Sequence, residues 1–413
     1  MGFGCSAEGY TGIYSNLIKT LPLSFPLCLG VLVVNANPFL DNPAKDWLSE
    51  GVSNAGQFII MGVPGPELDA ATRQLIERVQ PGGFILFGRN IKTPEQLRVL
   101  TDALRGLVKA EPIITIDQEG GRVSRLKEIG TEPPSAKELR DRGDVALIRR
   151  HGKLTGRLLR LFGFNLDLCP VLDVSFDDEA DNSLKNRTYG KTPEQVIANA
   201  TAFAEGMRGE GILSCGKHFP GYSAAGLDPH HELPKIERSR RELEGCEWIP
   251  FRTMMALCDS FMIGHAVYPD LDTEAASLSE KIIAGVLRRE WGYDGLVMTD
   301  DLDMGAILNH YGFEDSIRLS LEAGNDAVLL CHRVEMVEKA AEVLASLPDR
   351  VLGPAARRME NFRKRLAPPE VFSGKKFTEL DRDVMQLRVD TLGAERAARR
   401  SAEDGKRSPV ETF

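Results

Sequence analysis

The chain has 413 residues, 42% of them hydrophobic and 27% charged, with a formal net charge of −9; this is globular composition, long enough for one large domain or two or three small ones. The acidic balance, with no basic run interleaved with aromatics, argues against a nucleic-acid-binding surface. Seven cysteines scattered singly, without a C-x-x-C pair, argue against a disulfide framework or a zinc site and favour a reducing, cytoplasmic compartment.

Residues 1–53 differ from the rest of the chain. The stretch LPLSFPLCLGVLVVNA, from Leu21 to Ala36, is apolar but broken by two prolines and too short to span a bilayer as a helix. It reads as a weak signal core ending at Val34-Asn35-Ala36, as a disordered extension, or as an upstream artefact of the start. No other stretch offers a membrane span.

From Gly56 short apolar runs alternate with helical periodicity. In chain order the runs are QFIIMGV (57–63), GGFILFG (82–88), PIITID (112–117), FNLDLCPV (164–171), ILSCGKH (212–218), SFMIGHA (260–266), GLVMTD (295–300) and NDAVLLC (325–331). Between them lie segments such as PELDAATRQLIERVQ and PEQLRVLTDALRGLV. Near-continuous apolar strands separated by helices predict a parallel sheet covered on both faces. Eight such units give the count of a (β/α)8 TIM-type barrel, here over residues 54–366. A doubly wound open sheet is the alternative, although no G-x-G-x-x-G follows the first run. Polar residues at the run ends (Arg89, Asp117, Asp173, Lys217, His218, His265, Asp300 and His332) favour the barrel, whose mouth gathers strand ends into one pocket. Residues 367–413 read as a short, partly flexible tail that packs on the barrel, with a solvated charged face near Glu395 to Arg400.

Three stretches concentrate reactive groups. In GLVMTDDLDM, Asp300 closes a strand and points into the mouth, whereas Asp301 and Asp303 read as caps of the next helix. In IDQEGGRVSRL, from Ile116 to Leu126, Asp117 closes a strand and is followed by a glycine pair, Arg122 and Arg125, a set that suits a polyhydroxyl ligand or a structural salt bridge. In CGKHFPGYSAAGLDPHHELP, from Cys215 to Pro234, Lys217 and His218 end a strand while Asp228 and His230 lie in the loop beyond. An aspartate beside a histidine holds one tautomer and keeps the ring basic, which permits proton transfer near neutral pH. His231 reads as solvent-exposed. Metal chemistry is not expected, because zinc barrel hydrolases usually begin with H-x-H after the first strand and this chain reads MGVPG there. No cofactor is expected.

Together KHFPG followed by D-x-H, IDQEGGRVSR, CPVLDV, NRTYG, HAVYPDLD and GLVMTDDLDM resemble glycoside hydrolase family 3. Within it they resemble the single-domain β-N-acetylhexosaminidases acting on peptidoglycan fragments. The resemblance covers Gly56 to Leu366 and implies a retaining hydrolase of terminal β-linked N-acetylglucosamine, acting on a small carbohydrate or muropeptide. It implies Asp300 as nucleophile, Asp228 and His230 as the acid/base dyad, and Asp117, Arg125, Arg187, Lys217 and His218 as residues gripping sugar hydroxyls. It also places His265 near the pocket and leaves Arg122 as a structural residue. Two departures stand out: Tyr222 and Ser223 replace the usual His-Gly after KHFPG, and Pro229 occupies the centre of the dyad. A phosphorylase of the same family remains an alternative, since a histidine acid/base does not repel phosphate. A β-glucosidase is disfavoured by the intact D-x-H, and a non-catalytic sugar-binding barrel by the presence of all three catalytic residues.

Overall fold

The computed structural model describes residues 52–179, 182–225 and 232–399. The apolar stretch Leu21 to Ala36, the dyad Asp228 and His230 with His231, and residues 400–413 lie outside the described residues. Among the described residues, strands β1 (Ile59–Gly62), β2 (Gly83–Leu86), β3 (Ile113–Ile116), β6 (Leu166–Asp167), β7 (Leu213–Phe219), β8 (Ser260–Ile263), β9 (Leu296–Asp301) and β10 (Ala327–Leu330) form a closed, parallel barrel. Strands β4 (Gln118–Gly120) and β5 (Val123–Ser124) form a separate antiparallel hairpin immediately after β3.

Each of the eight apolar runs contributes one barrel strand. Closure is direct: β1 pairs with β2 through Ile60 and Gly83, and with β10 through Ile59 and Val328. An open sheet would leave those edges apart, so the doubly wound alternative falls. Gly62 sits where the backbones of β1 and β10 meet, and a Cβ there would lie 1.9 Å from the Cys331 carbonyl oxygen.

The helices between the strands begin where their sequences provide caps. Asp69 accepts from the Thr72 amide at 2.7 Å to start Ala70–Val79. Thr93 and Thr192 each precede a proline at the first helical position of Pro94–Gly106 and Pro193–Arg208, where the missing N–H costs nothing. An aromatic cluster fastens the end of β7, with the Phe219 ring 5.5 Å from Phe251 and 5.4 Å from Trp291, both edge-on.

The stretch expected to be a partly flexible tail contains the helix Gly374–Leu392, whose Leu380, Val384 and Leu387 are buried against the barrel. The short helix Ala394–Ala397 follows, and there Arg396 and Arg399 are exposed, as the charge pattern predicts.

Candidate active site

Strand direction brings the chemistry together. Asp117 follows β3, Lys217 and His218 belong to the end of β7, and Asp300 belongs to the end of β9. Six of the nine residues singled out in the sequence (Asp117, Arg125, Arg187, Lys217, His218 and Asp300) line one pocket at the barrel mouth. Ile85, Phe87, Met262 and Leu329 supply its apolar lining.

One wall is a compact lattice of opposite charges. The Lys217 ammonium lies 2.7 Å from Asp117 Oδ1 and 2.7 Å from Glu119 Oε1. Arg187 binds both Glu119 oxygens at 2.8 Å through Nε and Nη2, the fork geometry that makes arginine–carboxylate pairs strong. Arg125 Nη2 approaches Asp117 Oδ2 at 3.6 Å. Burial alone would favour neutral Lys217, but Asp117 and Glu119 reverse that and raise its pKa. Burial likewise pushes the Glu119 carboxyl up, but Arg187 and Lys217 outweigh it and hold the group below the usual carboxylate range. Glu119 was not singled out in the sequence, yet it joins the two cations. Asp117 and Glu119 stand two residues apart in extended chain, a spacing that puts side chains on one face.

Beneath this wall, the fully buried Asp167 at the end of β6 accepts the Gln118 amide at 3.0 Å through Oδ1. Its Oδ2 has no partner among the described residues. Burial raises its pKa to about 8; the Gln118 amide and Lys217 lower it, and Asp117 and Glu119 add to the rise.

Arg187 is placed by the loop 182–188. Its Nη1 donates to the Ser183 carbonyl at 2.9 Å. Arg122 donates to the same carbonyl at 2.6 Å and to that of Lys185 at 3.2 Å, which is the structural task expected of it. His218 shares Nδ1 with Asp173 Oδ2 at 2.8 Å, leaving Nε2 as its nitrogen for the pocket. Asp173 also accepts the backbone amides of His218 and Tyr222, at 3.1 and 2.6 Å. Ser223 Oγ accepts the Val174 amide at 2.9 Å. Tyr222, through its amide, and Ser223, through its hydroxyl, therefore tie the loop after β7 to the segment 173–174 that follows β6.

The opposite wall is built differently. Asp300 accepts the Asp301 amide at 2.8 Å through Oδ1. Asp301 accepts the amides of Asp303 and Cys331, at 3.0 and 3.1 Å; burial first, then Asp303, raises its pKa well above the carboxylate range. Asp303 accepts the amides of His332 and Arg333, at 2.9 and 3.0 Å, and the Arg333 side chain at 2.8 Å. These acids cap backbone, but that of the β9 end with its turn and of the loop after β10; the helix Gly305–Leu308 has no side-chain cap.

His265 departs from expectation. It is fully buried, with Nδ1 2.7 Å from the Ser277 hydroxyl and Nε2 2.9 Å from the Asp301 carbonyl oxygen, and it does not line the pocket. Position at a strand end did not fix the direction of its ring. Arg89 and His332 also fall short of full convergence. Arg89 donates to the carbonyls of Val63 and Cys331, at 3.1 and 2.6 Å, and its Nη1 lies 3.3 Å from His332 Nδ1. They stitch the ends of β1, β2 and β10 beside the pocket rather than lining it.

Residues 53–361 match the glycosyl hydrolase family 3 N terminal domain. A β-hexosaminidase of Alkalilimnicola ehrlichii is 38% identical over 298 residues, covering 70% of this chain and 84% of that protein. One of Vibrio cholerae is 35% identical over 325 residues, covering 78% and 93%. Among solved structures, a glycoside hydrolase family 3 β-N-acetylglucosaminidase from Paenibacillus sp. superposes with a TM-score of 0.75 at 32% identity, covering 82% of this chain and 68% of that one. Native NagZ from Neisseria gonorrhoeae superposes with a TM-score of 0.70 at 31% identity, covering 80% and 97%.

Proposed function

The chain belongs to glycosyl hydrolase family 3, and from that premise we propose that it is a retaining β-N-acetylhexosaminidase. It removes terminal β-linked N-acetylglucosamine from peptidoglycan-derived fragments or chito-oligosaccharides. The observation that carries this reading is Asp300, a pocket-lining carboxylate at a rigid strand end whose Oδ1 is oriented by the next backbone amide. In a retaining mechanism this carboxylate attacks the anomeric carbon and forms a glycosyl ester as the leaving oxygen takes a proton. His230, oriented by Asp228, supplies that proton and then removes one from the water that cleaves the ester. A histidine in this role avoids a second carboxylate beside Asp300, which would raise one of the two pKa values.

The charged wall grips the sugar. Lys217, Arg125 and Arg187 donate to hydroxyls, Asp117 accepts from them, and His218 offers Nε2. Their mutual pairing lets cations and carboxylates face a neutral ligand without leaving a buried charge alone. His265, which donates or accepts at both ring nitrogens within the protein, acts on the reaction only by holding the strand end that carries Asp300. The buried free thiols Cys169, Cys215, Cys258 and Cys331 support a place in the cytoplasm. No helix among the described residues is long and apolar enough to cross a membrane.

The test compares turnover of the p-nitrophenyl β-N-acetylglucosaminide and β-glucoside, with and without phosphate. The expected result is preference for the N-acetyl sugar, retention of configuration and no effect of phosphate. Faster turnover with phosphate and release of a sugar 1-phosphate would move the chain to the phosphorylases. Preference for the glucoside would overturn the substrate assignment.

A further inference from the structure

The family match ends at residue 361, and the helix Gly374–Leu392 lies beyond it. That helix reaches residues 131 and 132, shortly after the hairpin β4–β5. Asp381 accepts the Thr131 amide at 2.6 Å and the Thr131 hydroxyl at 3.2 Å. Arg388, with 4% of its surface exposed, donates through Nη1 to the Glu132 carbonyl at 3.0 Å and to the Glu132 carboxylate at 3.2 Å. Its Nε donates to the Ala397 carbonyl at 3.0 Å, and its Nη2 donates to the Arg399 carbonyl. The arginine thus ties the last described turn, at Ala397 and Arg399, to Glu132.

The segment 131–134 in turn clasps the hairpin β4–β5. The Gly121 amide donates to the Pro133 carbonyl at 2.9 Å. Gly120 and Gly121, with φ of 100° and 55°, pack so closely that a Cβ would lie 2.3 Å from the Pro134 oxygen and 2.6 Å from the Ser135 Cβ. Only glycine fits such a turn without strain. Glu119 lies on one arm of this hairpin and Arg125 directly follows the other. The chain of contact therefore runs from Asp381 and Arg388, through 131–134 and the glycine turn, to the carboxylate that joins Lys217 to Arg187 and the arginine that faces Asp117.

We infer that Asp381 and Arg388 are positioning residues for the reaction: the helix outside the matched domain sets the hairpin from which Glu119 holds Lys217 and Arg187, and after which Arg125 faces the sugar. The inference rests on the proposed function for its substrate, but not for the coupling itself. A charged wall loses its grip when its members move by fractions of an ångström, and supporting contacts decide such placements. Other ties of the same helix, such as the half-exposed Arg150–Asp390 pair at 2.8 Å, fasten it to the barrel without touching the segment 131–134.

The experiment uses the full chain with Arg388→Met, Arg388→Lys, Asp381→Ala, Asp381→Asn and, as a control that breaks another tie to the same helix, Arg150→Ala. Steady-state kinetics on the p-nitrophenyl β-N-acetylglucosaminide are read below each variant's melting temperature. KM is expected to rise about tenfold in Arg388→Met and Asp381→Ala with kcat falling less, since misplacement of about 1 Å costs up to about a hundredfold. Arg388→Lys and Asp381→Asn recover part of the loss, and Arg150→Ala keeps the wild-type KM. If Arg388→Met does not fold, Asp381→Ala, at a partly exposed site, carries the same expectation. Hydrogen exchange over residues 118–126 is followed in parallel and is expected to quicken in both disruptive variants. Lower melting temperature with unchanged KM and unchanged exchange overturns the inference. If the wild type turns over no N-acetylglucosaminide, the function reading fails, and the exchange result alone decides whether the helix sets the hairpin.

Discussion

The two walls of the mouth use the same residue type for opposite ends. On the β3–β7 side, Asp117 and Glu119 face cations, with Lys217 between them and Arg187 clamped on the second. On the β9–β10 side, Asp301 and Asp303 face backbone amides, and Asp303 adds the Arg333 side chain. Carboxylates paired with cations hold those cations in place, and Asp117, at the pocket, can share hydrogen bonds with an incoming polyol. Carboxylates turned toward amides hold loop backbone and shape the strand end from which Asp300 enters the pocket. The first wall suits binding and the second suits aiming a nucleophile, and that division makes separate, breakable claims.

The sharpest break is Asp300→Asn, which leaves the Asp301 amide an oxygen acceptor but removes the proposed nucleophile. We expect kcat to fall by about 10⁴-fold or more, the range seen when a covalent-catalysis residue is lost, with the melting temperature little changed. Retention of more than a tenth of the activity in a purified sample would remove Asp300 from its role. On the other wall, Lys217→Met leaves Asp117 and Glu119 with only arginines to answer them. Removing one partner of a buried ion pair costs about 3–5 kcal/mol, so thermal unfolding should move down steeply and sugar affinity should fall with it. A melting temperature close to wild type would mean that the lattice adds little to folding.

Asp303→Ala tests the amide-facing wall in the same currency. It orphans two amides and the Arg333 guanidinium, for which unsatisfied buried groups cost about 1–3 kcal/mol each at most. The expected effect is a moderate loss of stability with kcat reduced more than KM is raised, because the β9 end shifts under Asp300. The opposite split, with KM raised and kcat intact, would place Asp303 among the binding residues.

Much of this layout was legible in the sequence, and the parts that were not share a cause. Parallel strands buried on both faces read as unbroken apolar runs, so GGFILFG and NDAVLLC announced β2 and β10 without any partner in view. Asp117, Lys217 and Asp300 were found because a barrel makes strand ends converge. Direction of a side chain at such an end is settled by packing, and so His265 read as a pocket residue when its ring runs beneath, between Ser277 and the Asp301 carbonyl. Glu119 hid inside a motif whose first acid and arginines drew attention; the two-residue spacing from Asp117 was the available signal. The C-terminal helix carried its own signal as well, apolar positions Leu380, Val384 and Leu387 at helical spacing, but a narrow stripe in a charged segment is easily taken for a tail. Asp167 had no signal of its own, because its raised pKa comes first from burial, which only the fold provides.

Asp167 and Glu119 sharpen the comparison last, through pH. Both are fully buried near Lys217, yet their pKa values move apart: burial raises Asp167 to about 8, while Arg187 and Lys217 overcome burial and depress Glu119. Glu119, depressed in the folded state, contributes stability above its unfolded value of 4.5 that is lost as the pH falls. Asp167 has the reverse sign. Its contribution is fully present below its unfolded value of 3.8 and is lost as the pH rises through about 8. Asp167→Asn keeps the acceptor for the Gln118 amide and cannot ionise, so its melting temperature should gain on the wild type from pH 6 to about pH 8 and level off by pH 9, with activity at pH 6 nearly unchanged. Glu119→Gln should instead lose most against the wild type near neutral pH and least in acid. Parallel melting curves for Asp167→Asn and wild type across that range would show that Asp167 is already ionised in the folded protein, paired with the Lys217 charge rather than set apart from it.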